Sequence, residues 1–282
     1  MPQFAANLSW LYTELPFLER FAAAAEDGFR GVECLFPYAY PVAQIAQQLR
    51  AHQLQLVLFN APPGGTDLAG MCRAWEAGAR GSLCLPDAQT QFRAGIQQAL
   101  STAQALQCPR VHVMSGCTPA GVDAAQIEAL VLERLHWAAT QAQAAGVTLC
   151  LEPINSRDMP GYHLRRQSQA HAWVQAVGSP HLQVQMDLYH CQVSEGDVAM
   201  QLRHYLPTGR VGHVQIAGVP ERSEPDVGEL NYAYLFALMD ALDYRGWVGC
   251  EYRPRAGTRA GLGWRQRLHS AAAVANSPSA TD

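Results

Sequence analysis

A (β/α)8 TIM barrel is the fold class this sequence predicts, and three observations predict it. Short apolar runs alternate with longer Ala-, Leu- and Gln-rich stretches of helical period, the order expected of parallel βαβ units. The runs are almost continuously apolar, as strands of a parallel sheet covered on both faces must be. There are eight such runs in the 282 residues, the number and size of a closed barrel. A doubly wound sheet is the alternative, but no Gly-x-Gly-x-x-Gly follows the first strand.

The first strand is read at Phe4–Asn7, and a helix over Leu15–Glu26 stops at Asp27-Gly28, where Gly ends a helical period. The second strand, Gly31–Leu35, leads to a helix at Pro41–His52, and the third strand is Leu54–Phe59. Residues 61–82, with Gly64-Gly65, read as a long loop over one end of the barrel. A helix at Phe92–Leu106 precedes the fourth strand, Arg110–Met114. A helix at Asp123–Ala145, closed by Gly146, precedes the fifth, Val147–Glu152. A helix at Ser168–Val177 precedes the sixth, Leu182–Asp187. The seventh is Val211–Gln215; a helix at Tyr232–Leu242 and Arg245-Gly246 precede the eighth, Trp247–Glu251. No repeat or linker divides the chain, so one catalytic domain is expected over 1–270, with a frayed tail at 271–282.

Composition removes several chemistries. Hydrophobic residues are 49%, enough for a large core, and all 20 basic residues are Arg. Without Lys there is no Schiff-base aldolase, no pyridoxal-phosphate aldimine and no Walker A loop. A net charge of −4 shows no basic stripe for nucleic acid. No apolar run is long enough for a spanning helix, and the first basic residue, Arg20, comes too late for a signal peptide. None of the eight Cys forms a Cys-x-x-Cys pair, so buried free thiols in a reducing cytoplasm are expected.

The chemistry lies at the strand ends. Strands five to eight finish on Glu152, Asp187, Gln215 and Glu251, spaced by 35, 28 and 36 residues (187 − 152, 215 − 187, 251 − 215). Each interval is about one βα unit, which brings the four side chains to the C-terminal mouth, where barrels build active sites. Three converging carboxylates repel unless protons, Arg partners or a metal offset them. Three carboxylates and an amide oxygen suit a hard divalent cation, Mg²⁺ or Mn²⁺ rather than Zn²⁺. The plainer reading makes each acid a helix N-cap or surface ion pair.

The sequence resembles the hydroxypyruvate isomerase family, a branch of the xylose-isomerase-like barrels, over roughly 3–255. The resemblance is carried by Phe4-Ala5-Ala6-Asn7-Leu8-Ser9, by Gly28-Phe29-Arg30-Gly31-Val32-Glu33 and Phe36-Pro37-Tyr38, and by Glu152-Pro153-Ile154-Asn155-Ser156-Arg157-Asp158-Met159-Pro160-Gly161-Tyr162. It continues in Asp187-Leu188-Tyr189-His190, Gly212-His213-Val214-Gln215-Ile216-Ala217, Glu224-Pro225 and Gly228-Glu229-Leu230-Asn231-Tyr232. The resemblance implies a divalent metal on Glu152, Asp187, Gln215 and Glu251, with Glu152 and Glu251 as proton donor and acceptor. It implies interconversion of hydroxypyruvate and tartronate semialdehyde, or isomerisation of a related 2-oxo sugar acid. The chain departs from the family after strand seven, with Gly218 for an acid, Glu221 for a glycine and Ser223 for a His. Its segment 61–80 also looks longer than the family's loop.

Further candidates surround this set. His190 resembles a family His that contacts substrate or steadies the site. Arg222 is a candidate for a substrate carboxylate, since a planar fork suits that group. Glu33 would hold a substrate hydroxyl or an ion pair under the rim, and Asn7 would cap a loop or line the floor. His213 points the same way as Gln215, as support for the site or as barrel filling. Trp10, Phe36, Tyr38 and Phe59 are candidates for an apolar wall or for core. The alternatives in function are a ketose 3-epimerase with the same two Glu, a metal-cluster nuclease and a non-catalytic sugar-binding barrel. The expected partner is a small-molecule 2-oxo acid or sugar, with a homo-oligomer as an open possibility and neither nucleic acid nor membrane.

Overall fold

The computed structural model describes residues 2–65 and 67–267; the tail expected at 271–282 lies outside them. Eight parallel strands close in sequence order, β1 (Gln3–Asn7), β2 (Gly31–Cys34), β3 (Gln55–Asn60), β4 (Arg110–His112), β5 (Thr148–Leu151), β6 (Leu182–Asp187), β7 (Val211–Ile216) and β8 (Trp247–Cys250), which pairs back with β1. This is the predicted (β/α)8 barrel. Strand residues such as Val32, Val111, Leu149, Val184 and Val214 are wholly buried, because helices cover the outside and side chains fill the inside.

Beside four short 3-10 turns among the described residues, the α-helices are α1 (Arg20–Glu26), α2 (Val42–Ala51), α3 (Leu68–Glu76), α4 (Gln89–Leu106), α5 (Ala124–Ala145), α6 (Gln167–Val177), α7 (Leu188–Ser194), α8 (Val198–Tyr205), α9 (Tyr232–Ala241) and α10 (Thr258–Gly261). Side chains start several of them. Asp123 accepts from the amides of Ala125 and Gln126 at the head of α5, and Asn231 accepts from Tyr234 at the head of α9. Such caps satisfy amides that the first helical turn leaves unpaired.

Helices also form where the sequence suggested none. The expected loop at 61–82 contains α3, opened by Asp67 accepting from the Gly70 amide and held down by buried Met71. Gly64, Gly65, Gly70 and Gly78 hid its period. The crossover between β6 and β7 holds α7 and α8; at seven and eight residues each is too short for a clear periodic signal. Buried Arg134 of α5 ties down the stretch after α3, donating to the carbonyls of Ser82, Leu83, Leu85 and Pro86.

All eight cysteines are free; six are buried, Cys117 is half-buried and Cys72 is exposed. No helix among the described residues is long and apolar enough to cross a membrane.

Candidate active site

Glu152 and Glu251 are the first residues beyond β5 and β8, and Asp187 is the last of β6. All three are buried. One ligand atom from each, with one from His190, falls within a 4.8 Å sphere of mutual distance. Asp187 has two jobs. Its Oδ1 accepts from the amides of Tyr189 (2.7 Å) and His190 (3.3 Å) and so caps α7. Its Oδ2 has no hydrogen-bond partner, and neither has Oε1 of Glu152.

Glu251 is held from two sides. Asn7 donates to its Oε1 at 3.1 Å and Arg222 to its Oε2 at 2.5 Å. Asn7 also donates to Glu33 (2.9 Å) while its oxygen accepts from the Ser9 amide. It therefore caps the β1 loop and positions Glu251 in one conformation. Glu33 lies below, wholly buried, and takes Gln215 Nε2 and His213 Nε2 at 2.7 Å each. A Cβ on Gly249 would lie 2.4 Å from either Glu33 oxygen, so only glycine leaves room for this carboxylate. Glu33 thus belongs to a network inside the barrel and does not line the mouth cavity. Gln215 is paired at both ends, its oxygen accepting from Gln185 at 2.6 Å. A carbonyl oxygen has two lone pairs, so one remains.

The β5 loop grips α7. The Asp158 amide donates to Asn155 Oδ1 at 2.8 Å, which fixes which end of the Asn155 amide is oxygen. Its nitrogen therefore faces His190 Nδ1, at 2.6 Å. Nδ1 must accept, so the His190 proton sits on Nε2, which lies 3.9 Å from Glu152 and 3.8 Å from Asp187. Burial, and then Arg222, hold His190 well below its usual pKa, so the ring is neutral. His190 presents a donor to the site. An Asn155→Asp variant should draw the proton to Nδ1, visible in the imidazole ¹⁵N shifts, and lower kcat about 10-fold or more by removing a donor from the reacting oxygens. An unchanged Nε2–H signal would show that Asn155 does not set the tautomer.

These groups open into a cavity of about 400 Å³ lined by Trp10, Trp75, Met114 and Ile154 as well as by Glu152, Glu251, His190 and Arg222. Of the proposed apolar wall only Trp10 lines this cavity; Phe59 is core, and Phe36 and Tyr38 border a separate apolar hollow. The loop carrying Arg222 explains one departure from the family pattern. A Cβ at Gly218 would lie 2.5 Å from the carbonyls of Glu224 and Val227, so this loop excludes an acid there.

The acids are poorly solvated and repel. Burial, then Glu251 and Asp187, push Glu152 well above the usual carboxylate range. Burial raises Glu251 to about 8 and Asp187 to about 6, both against the pull of Arg222. Burial alone would lower the Arg222 guanidinium, but Glu251, Asp187 and Glu152 raise it. Arg222 offsets one negative charge. The spare oxygens of Glu152 and Asp187, with Glu251 beside them, are the hard donors a divalent cation takes. Cation binding must displace the protons that these raised carboxyl groups hold. Mn²⁺ is therefore expected to release protons at pH 7 and to bind more tightly at pH 8 than at pH 6. Calorimetry in buffers of different ionisation heat measures both; affinity flat with pH would place Mn²⁺ elsewhere.

Sequence reasoning did not single out Asn155, Asp158 or His112. Asp158 accepts from Tyr189 at 2.8 Å and lies 3.5 Å from Arg222; His112 lies 3.5 Å from Glu152. Asp158 sits in a loop without period, and His112 is one strand residue among apolar neighbours.

The chain matches the xylose isomerase-like TIM barrel family over residues 21–268. It is 55% identical over 264 residues to a 2-oxo-tetronate isomerase of Cupriavidus necator, covering 94% of this chain and 97% of that one. It is 41% identical over 264 residues to the hydroxypyruvate isomerase of Escherichia coli, covering 94% and 98%. It is similar to a crystal structure of an AP endonuclease, family 2, from Brucella melitensis, at a TM-score of 0.88 and 46% identity, covering 95% and 99%.

Proposed function

The chain belongs to the xylose isomerase-like TIM barrel family, and from that premise we propose that it is a metal-dependent isomerase interconverting hydroxypyruvate and tartronate semialdehyde, or a close 2-oxo sugar acid such as a 2-oxo-tetronate. The observation that carries this reading is the meeting of Glu152, Asp187 and Glu251 at the barrel mouth, two of them with an unpaired oxygen. Relatives named 2-oxo-tetronate isomerase and hydroxypyruvate isomerase support the substrate class.

The reaction moves a proton between adjacent carbons through an enediol. Glu152, Asp187 and Glu251 would hold the cation, Mg²⁺ or Mn²⁺, with the remaining lone pair of Gln215 Oε1 as a fourth ligand. When bound, it supplies electrophilic polarisation of the substrate's carbonyl and hydroxyl oxygens. One of Glu152 and Glu251 takes the carbon-bound proton and the other returns one to the neighbouring carbon. His190 Nε2–H donates to oxygen charge as it develops. Asn7 and Arg222 hold Glu251 in place, and Trp10, Trp75, Met114 and Ile154 keep bulk water from the intermediate.

The nuclease name of the Brucella melitensis structure is not carried over. The net charge of −4 and absence of Lys do not supply the phosphate-neutralising surface a duplex requires. The free thiols support a reducing compartment, the cytoplasm. The test is a product-resolved assay with Mg²⁺ or Mn²⁺ on hydroxypyruvate, a 2-oxo-tetronate and neutral ketohexoses. Isomerised 2-oxo acid is expected; turnover confined to C3 epimerisation of ketohexoses would replace this reading with the epimerase one.

A further inference from the structure

The cavity carries two opposite deficits. On the floor is an acceptor without a donor, the spare oxygen of Glu152, with buried Asp187 in the same cluster. On the wall nearest Trp10 is a donor without an acceptor. Arg253 lines the same cavity, is exposed, and its guanidinium has no acid or carbonyl partner among the described residues. The other arginines of the cavity are engaged. Arg222 serves Glu251, Arg157 donates to the Tyr189 hydroxyl and the Pro220 carbonyl, and Arg80 donates to the carbonyls of Trp75 and Ala79.

Trp10 orders this wall. Arg222 lies 4.6 Å and Arg253 5.0 Å from the centre of its indole ring. A guanidinium held over an aromatic ring can still present N–H groups to a planar anion. The backbone supports the arrangement, because the Arg253 amide donates to the Arg222 carbonyl at 2.8 Å and joins the loops after β7 and β8. Arg253 is also only two residues beyond Glu251, and both line the cavity.

We propose that the Arg253 guanidinium, beside Trp10, is the subsite for the substrate's carboxylate, and that it sets the preference for 2-oxo acids over neutral ketoses. This rests on the isomerase reading above and deepens it. An acid with a carbonyl and a neighbouring hydroxyl fills both deficits at once, its oxygens above the acidic floor and its carboxylate against the Trp10 wall. A neutral ketose fills only the first.

The test compares hydroxypyruvate with dihydroxyacetone, which carries CH₂OH in place of the carboxylate, in the wild type and in the Arg253→Met and Arg253→Lys variants. Met keeps an apolar stack on Trp10 without donors; Lys keeps charge without the fork. KM for hydroxypyruvate should rise about 10- to 100-fold in Arg253→Met, the loss expected for a charged pair of hydrogen bonds, and less in Arg253→Lys. The ratio of kcat/KM for hydroxypyruvate over that for dihydroxyacetone should fall by a similar factor. Calorimetry with D-glycerate, an unreactive carboxylate analogue, should show weakened binding in the same order. Normal KM and normal glycerate affinity in Arg253→Met overturn the subsite while leaving the isomerase reading intact. A wild type that isomerises dihydroxyacetone but no 2-oxo acid overturns both.

Discussion

Glu152→Gln and Glu251→Gln are each expected to lower kcat by about 10²-fold or more. Gln keeps the length, shape and one oxygen of Glu but can neither take nor give a proton at working pH. The two residues sit at the ends of strands on different sides of the mouth, each buried and each raised above the usual carboxylate range by that burial. Metal content of the variants, measured directly, separates loss of proton transfer from loss of the cation. The losses should be far from additive, since the double variant lacks a relay that either single variant has already broken. Wild-type turnover in D₂O should place deuterium on the carbon that receives the proton. Near-normal kcat in either variant, together with complete retention of the original hydrogen, would reduce the glutamates to ligands and favour a hydride shift.

The fold was legible because a parallel barrel repeats one signal. Eight apolar runs sit between helical periods, and burial on both faces leaves little freedom in how such strands pack. The mouth was legible for the same reason. In a closed barrel, consecutive strand ends converge, so Glu152, Asp187 and Glu251 could be brought together by counting alone. What the sequence hid depends on depth and on side-chain direction. Glu33 also ends its strand, yet the space above Gly249 and the donors Asn7, Gln215 and His213 draw it inward, away from the cavity. The orientation of Asn155 rests on the amide of Asp158, a loop contact with no periodicity to announce it. The plainer reading of Asp187 as a helix cap is also present in the structure, since its two oxygens divide the tasks.

Asp187→Asn should trade activity for stability, and the exchange follows from that division. Asn retains an oxygen to accept from the Tyr189 and His190 amides, so α7 stays capped. The unpaired Oδ2 becomes an NH₂, placing a donor where a cation needs an acceptor. Mn²⁺ affinity should fall at least about 10²-fold, and activity with it, while chelation of the wild type should abolish turnover that Mg²⁺, Mn²⁺ or Co²⁺ then restores. The stability effect has the opposite sign. Burial raises Asp187 from 3.8 to about 6 in the folded protein, so folding favours its protonated form. That contribution is fully present below pH 4 and lost as pH rises through about 6, above which the ionised group costs about 1–3 kcal/mol in the cation-free protein. Removing the charge should therefore raise the Tm of chelated protein at pH 8 by a few degrees and make little difference at pH 4. With saturating Mn²⁺ the order should reverse, because only the wild type gains binding free energy from the cation. Full activity in a chelated, metal-free wild type, or a chelated Asp187→Asn protein less stable than wild type at pH 8, would overturn the account of these carboxylates as a cation site held together against their own repulsion.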